Sequence, residues 1–94
     1  HLIVPAISLF EVHRFLTKRG EPVHRDTCLD IMRRGTVVDI TDARAIAASE
    51  AAQTHKLAMA DAVMYSIARE FDAKFWTQDV DYRGLAGVKF LPKA

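Results

Sequence analysis

Cysteine is almost absent from this chain: Cys28 stands alone among 94 residues. A single thiol excludes an intrachain disulfide and a zinc knuckle, and it favours a reducing compartment, so a cytoplasmic location is expected. Long apolar runs are missing as well. None approaches the roughly 20 residues needed to cross a bilayer, so neither a membrane span nor a signal peptide is expected. Charge of one sign is also lacking. The formal net charge is +1, which excludes a strongly basic RNA-binding tail and requires any nucleic-acid contact to be local. There is no low-complexity tract and no internal repeat. What is present is ordinary globular composition, 50% hydrophobic and 27% charged, suited to one small domain over residues 1–94 with a thin margin of stability.

Strand-like and helix-like stretches alternate along the chain. Leu2-Ile3-Val4-Pro5-Ala6-Ile7 is an apolar, β-branched run that predicts a buried strand. Ser8 is expected to start a helix with Phe10, Val12, Phe15 and Leu16 as its apolar positions, and Gly20 to end it. Glu21-Pro22 marks a break. A second amphipathic stretch offers Val23, Cys28, Leu29, Ile31 and Met32 as core, with Cys28 a buried structural thiol, and stops at Gly35. Thr36 to Ile40 predicts a short strand. Thr41-Asp42 should cap an alanine-rich helix running to about Lys56. A further helix is predicted from Ala60 to about Phe71, with Ala60, Val63, Met64, Ile67, Ala68 and Phe71 on its apolar stripe. Strands over residues 74–77 and 88–91 follow. This alternation predicts an α/β fold built on a parallel sheet.

In such sheets ligands bind beyond the carboxyl ends of the strands. Glu11 follows the first strand, Asp79 and Asp81 follow the third, and Asp61 opens a helix. Carboxylates converging there would suit a hard cation such as Mg2+ or Mn2+, able to polarise a phosphate and generate a hydroxide nucleophile. Structural readings stand beside each of these. Ser8-Leu9-Phe10-Glu11 fits a capping box, in which Glu11 serves the helix terminus. Asp61 suits the dipole of a first helical turn, although Ala60 and Ala62 keep its surroundings small. Asp79 and Asp81 fit a polar loop. His1, His13, His24 and His55 share no metal-ligand spacing. Trp76 is expected in the core rather than as a base-stacking platform, and Lys18-Arg19 and Arg33-Arg34 as solvated helix ends, with RNA-backbone contact the other reading.

Three motifs in order carry a resemblance. Val4-Pro5-Ala6-Ile7-Ser8-Leu9-Phe10-Glu11, Leu57-Ala58-Met59-Ala60-Asp61-Ala62 and Trp76-Thr77-Gln78-Asp79-Val80-Asp81-Tyr82-Arg83-Gly84-Leu85 resemble successive acidic motifs of PIN domains of the VapC toxin type. Tyr82 stands where that family usually has phenylalanine. The resemblance implies a PIN-like parallel sheet with helices on both faces, and Mg2+- or Mn2+-dependent endoribonuclease activity. It implies Glu11, Asp61 and Asp79 as metal-site and catalytic acids and Asp81 as a fourth metal ligand. Ser8 and Thr77 would orient them. It also implies RNA as substrate, an antitoxin protein as partner and a homo-oligomer. The family's first, central strand, which ends in a further aspartate, has no counterpart here. The resemblance therefore implies an N-terminally truncated single domain with weakened metal binding and impaired cleavage, whose bared edges associate with another copy. The competing readings are a non-catalytic oligomerising or antitoxin-binding module derived from a PIN domain, and an unrelated α/β domain whose acids are caps and loop residues.

Overall fold

The computed structural model describes residues 2–77 and 82–91. The order of elements is β1 (Ile3–Pro5), α1 (Ala6–Lys18), α2 (Pro22–Arg33), β2 (Thr36–Val38), α3 (Asp42–His55), α4 (Met59–Glu70), β3 (Phe75–Thr77) and β4 (Val88–Phe90). All four predicted strands are present and every pairing is parallel. β1 pairs with β2, Ile3 opposite Thr36, and β3 pairs with β4, Phe75 opposite Val88. Instead of one continuous sheet, the described strands form two sheets of two strands each.

The orientation of the unpaired edges follows from the ladders. In a parallel pair, alternate residues turn both backbone groups toward the partner. Thr36 N–H donates to Leu2 C=O at 2.8 Å, and Leu91 N–H to Thr77 C=O at 2.7 Å. Val4 and Phe75 therefore point into their ladders, while Ile3 and Trp76 present N–H and C=O to the opposite edges. Those edges, with α4 beneath, line one cleft of about 590 Å³ that includes Ile3, Pro5, Ser8, Met64, Ala68 and Trp76.

Local chemistry explains the helix ends. Thr41 caps α3 as predicted, its side-chain oxygen accepting from Arg44 N–H at 3.2 Å. Two starts differ from expectation. α1 begins at Ala6 with Pro5 as its N-cap (φ −59°, ψ 137°) and no side-chain cap bond. The proline ring fixes φ near the helical value, so the chain turns into the helix directly from β1. Ser8 consequently lies inside the first turn, and the capping box expected of Ser8 and Glu11 is not formed. Pro22, expected to break the chain, instead opens α2, where its missing N–H costs nothing.

The core lies around α4. One cluster joins Val38, Ala48, Val63 and Ile67, with Ile3 and Ile7 packed against it; another joins Leu57, Ala62, Tyr65 and Tyr82, with Phe75 and Val88. Tyr65 donates to Ala86 C=O at 2.8 Å, and His55 meets its ring edge-on at 5.4 Å. Gly35 permits the β1–β2 pairing: a Cβ there would stand 2.6 Å from Leu2 O.

Several expected core residues lie outside the core. α2 has no buried residue; Val23 and Ile31 are exposed, and Cys28 is half-buried rather than buried. α1 buries only Leu16, leaving Phe10 and Phe15 in solvent. Trp76 is 63% exposed at the mouth of the cleft and is not a core residue. The reason is common to all three. No described element covers these side chains, so their apolar surface stays in solvent.

Candidate functional site

Two helices that line the cleft between β1 and β3 carry the described candidate acids. α1 leaves the carboxyl end of β1 and contributes Ser8 to the cleft wall; α4 contributes Met64 and Ala68. Residues three or four apart share a helix face. Glu11 thus stands one turn beyond Ser8 on α1, and Asp61 one turn before Met64 on α4. α1 and α4 are in contact, and Ile7 of α1 shares a groove with Met59, Ala62 and Val63 around the first turn of α4. The two helices that bear the acids are therefore neighbours, and each acid lies one turn from a cleft-lining residue.

Their surroundings differ. Glu11 is exposed, on an outer depression shared with Arg14 and Lys18. Asp61 is half-buried in the first turn of α4, behind Ala58 as N-cap, which supplies no side-chain cap bond. The helix dipole favours a negative charge at that end. Neither carboxylate is hydrogen-bonded or ion-paired to another described residue. Ser8 is half-buried in the cleft wall. Thr77 ends β3 and accepts from Leu91 N–H through its carbonyl. Asp79 and Asp81, expected just past β3, lie outside the described residues.

Carboxylate oxygens are the donors a hard divalent cation prefers, but such an ion takes about six oxygen ligands. Among the described residues no group of three histidine, cysteine, aspartate or glutamate side chains could hold a metal. Glu11 and Asp61 alone therefore do not make a metal centre.

What sequence reasoning missed is the cationic, aromatic outer face of α1. Phe10 and Phe15 read as core from their spacing, yet they lie among Arg14 and Lys18 at the surface. The signal available was that interleaving of basic and aromatic residues, which a core-facing stripe would not show.

Comparison with known proteins follows the same arrangement. A search of curated proteins gave no significant match. Among solved structures, a chain from a toxin–antitoxin complex of Klebsiella pneumoniae superposes with a TM-score of 0.78 at 19% identity, over 93% of this chain and 71% of that one. At that identity the likeness concerns the fold. A family model described as the PIN domain matches residues 1–88, a span that takes in both described acids, the cleft between them and the segment following β3. The order of acids, the parallel strand pairs and the extent of that match agree, and this chain belongs to the PIN domain family.

Proposed function

We propose that this chain is a toxin-type PIN endoribonuclease that hydrolyses RNA phosphodiester bonds. In this reading Glu11, Asp61 and Asp79 are the catalytic and metal-site acids, Asp81 is a fourth metal ligand, and Ser8 and Thr77 are their supports. What carries the reading is one juxtaposition. Two neighbouring helices each hold an acid one turn from the cleft between β1 and β3, and β3 leads from that cleft toward residues 79 and 81. A bound Mg2+ or Mn2+ would supply Lewis-acid polarisation of the phosphate and a more acidic water.

The roles of the chain's own residues follow from their places. Asp61 lies in the first turn of α4, at the positive end of the helix dipole, with no ion pair from a described residue. Ser8 lies on the cleft wall, one turn before Glu11 on the same helix. The test is cleavage of labelled single-stranded RNA by the purified chain with Mg2+ or Mn2+ and with chelator. Chelator-sensitive cleavage that falls at least about a hundredfold in Asp61→Asn and Glu11→Gln supports the reading. Cleavage unaffected by both substitutions excludes it.

A second reading has its own observation. α2 buries nothing, and β1 and β3 each leave one edge unpaired among the described residues. Open strand edges and bare apolar faces invite another chain. The chain would then act as a binding module, for an antitoxin protein or for a second copy of itself. The matched Klebsiella pneumoniae chain comes from a toxin–antitoxin complex, in line with a protein partner of that kind. Sedimentation across a dilution series measures self-association, and a monomer at micromolar concentration rules out the homo-oligomer.

A further inference from the structure

The pairing of cations is uneven over this molecule. Arg19 is bound to Glu21 at 2.8 Å, Arg25 to Asp26 at 2.9 Å and Arg44 to Glu70 at 2.9 Å. Arg14, Lys18 and Arg33 have no carboxylate partner among the described residues. These three line one groove of about 630 Å³ between α1 and α2, whose floor is Leu9, Phe10 and Leu29. No carboxylate lines it, although the chain as a whole is close to neutral. Phe10 is 61% exposed at its edge and has no ring or cation stacked on it among the described residues. Phe15, the next exposed aromatic on the helix, is covered on one face by the Arg19 guanidinium, 5.4 Å from its ring centre.

We propose that this groove and the outer face of α1 bind single-stranded nucleic acid. Phosphates would lie against Arg14, Lys18 and Arg33, and a base would stack on Phe10. A run of unpaired cations needs an anion with repeated charges. An open aromatic face beside them suits a base that is free to leave its stack, which a duplex does not offer. The groove is also continuous with the candidate site. Glu11 shares with Phe10, Arg14 and Lys18 the depression next to it, so a strand held there would pass a carboxylate named above as catalytic. An acidic apolar peptide would satisfy the cations, but it would gain nothing from ending at Glu11. This inference rests on the nuclease reading for its substrate, yet it is tested without catalysis.

The test is fluorescence anisotropy of a labelled single-stranded RNA of about twelve nucleotides, titrated with the full chain in chelator at several salt concentrations. Arg14→Ala and Lys18→Ala should each weaken binding and reduce the slope of log affinity against log salt by about 0.7. Phe10→Ala should weaken binding roughly tenfold with the slope unchanged, and Phe10→Trp should restore it. All three positions lie on the groove surface, and circular dichroism verifies that each variant is folded. Binding equal to that of the unsubstituted chain in all three alanine variants overturns the proposal. So does equal affinity for a duplex of the same length, or binding of an acidic, phenylalanine-rich peptide with none of the RNA. RNA binding that behaves as expected, with no cleavage once Mg2+ or Mn2+ is added, leaves this surface standing and removes the nuclease reading instead.

Discussion

Helices α2 and α4 have the same length, 12 residues, and similar amphipathic spacing, yet they end in opposite circumstances. α4 buries Ala62, Val63, Tyr65, Ile67 and Ala68; α2 buries none of its residues. α4 is covered on one side by α3 and β2, and on the other by β3 and β4, so both flanks of its apolar face are filled. α2 leans mainly on α1, which is itself half bare. Periodicity therefore tells which side of a helix is apolar but not whether the same chain covers it. In this protein the covered helix carries the half-buried acid Asp61, and the uncovered pair carries the groove lined by Arg14, Lys18 and Arg33. The buried core and the proposed binding surface thus fall in two parts of one small domain.

Substitutions can break that division, beginning with the strongest. Ile67 is 1% exposed at the centre of the α3–α4 core, and Ile67→Ala should cost about 2–5 kcal/mol in denaturant unfolding. In a domain this small that loss approaches the whole stability. Gly35→Ala comes next. Its Cβ would be 2.6 Å from a backbone oxygen, an atom that cannot rotate away, so β1 and β2 must separate. About 1–3 kcal/mol of destabilisation is expected, together with faster amide exchange at Val4. Tyr65→Phe removes the bond to Ala86 C=O and keeps the ring packing; about 1 kcal/mol is expected. If Ile31→Ser on α2 costs as much as Tyr65→Phe, α2 is covered in solution and the comparison fails. The expected change there is below about 0.5 kcal/mol.

The smallest effect concerns pH. Arg44 grips Glu70 through two nitrogens, donates to Asp39 C=O at 3.1 Å and lies over the Phe71 ring. The hydrogen bond from Arg44 holds the Glu70 carboxyl below its usual value of 4.5. A depressed carboxyl contributes stability that is complete above its unfolded pKa and is lost as pH falls through the folded one. The difference in stability between the unsubstituted chain and Arg44→Ala should therefore shrink as pH falls below about 4.5. The part that survives in acid reports the cation–ring and carbonyl contacts. Because the pair is exposed, the whole effect should be small and should weaken with salt.

Local chemistry was the part of this fold that the sequence made legible. Thr41 was identifiable as a cap because its partner, the Arg44 N–H, is three residues away. The four strands were identifiable from short runs of β-branched and aromatic residues, and the family from the order of its acidic motifs. The misread features all depend on distant partners. Ser8 has the right spacing to Glu11 for a capping box, but Pro5 had already turned the chain into α1. Trp76 has the character of a core residue but sits on a strand edge with no described neighbour. Of the candidate site, the sequence indicated Glu11 and Asp61, and the fold sets each of them one turn from the same cleft. The aromatic and basic residues next to Glu11 were interleaved in the sequence, but their apolar spacing assigned Phe10 and Phe15 to the core, which the fold does not do.

The parallel pairing of both strand pairs has a consequence for how quickly the chain folds. No described strand can pair with a neighbour through a tight turn. Ile3 meets Thr36 only after α1 and α2 have been laid down between them, and Phe75 meets Val88 across a shorter loop. Closing such loops costs entropy before any ladder bond forms, so the helical pairs α1–α2 and α3–α4, whose contacts are local, should assemble first. Substitutions at the α3–α4 contact, such as Ala48→Gly, should then slow refolding. Gly35→Ala, which disturbs a pairing made late, should leave the refolding rate nearly unchanged and accelerate unfolding. Stopped-flow chevrons of the two variants would separate these outcomes.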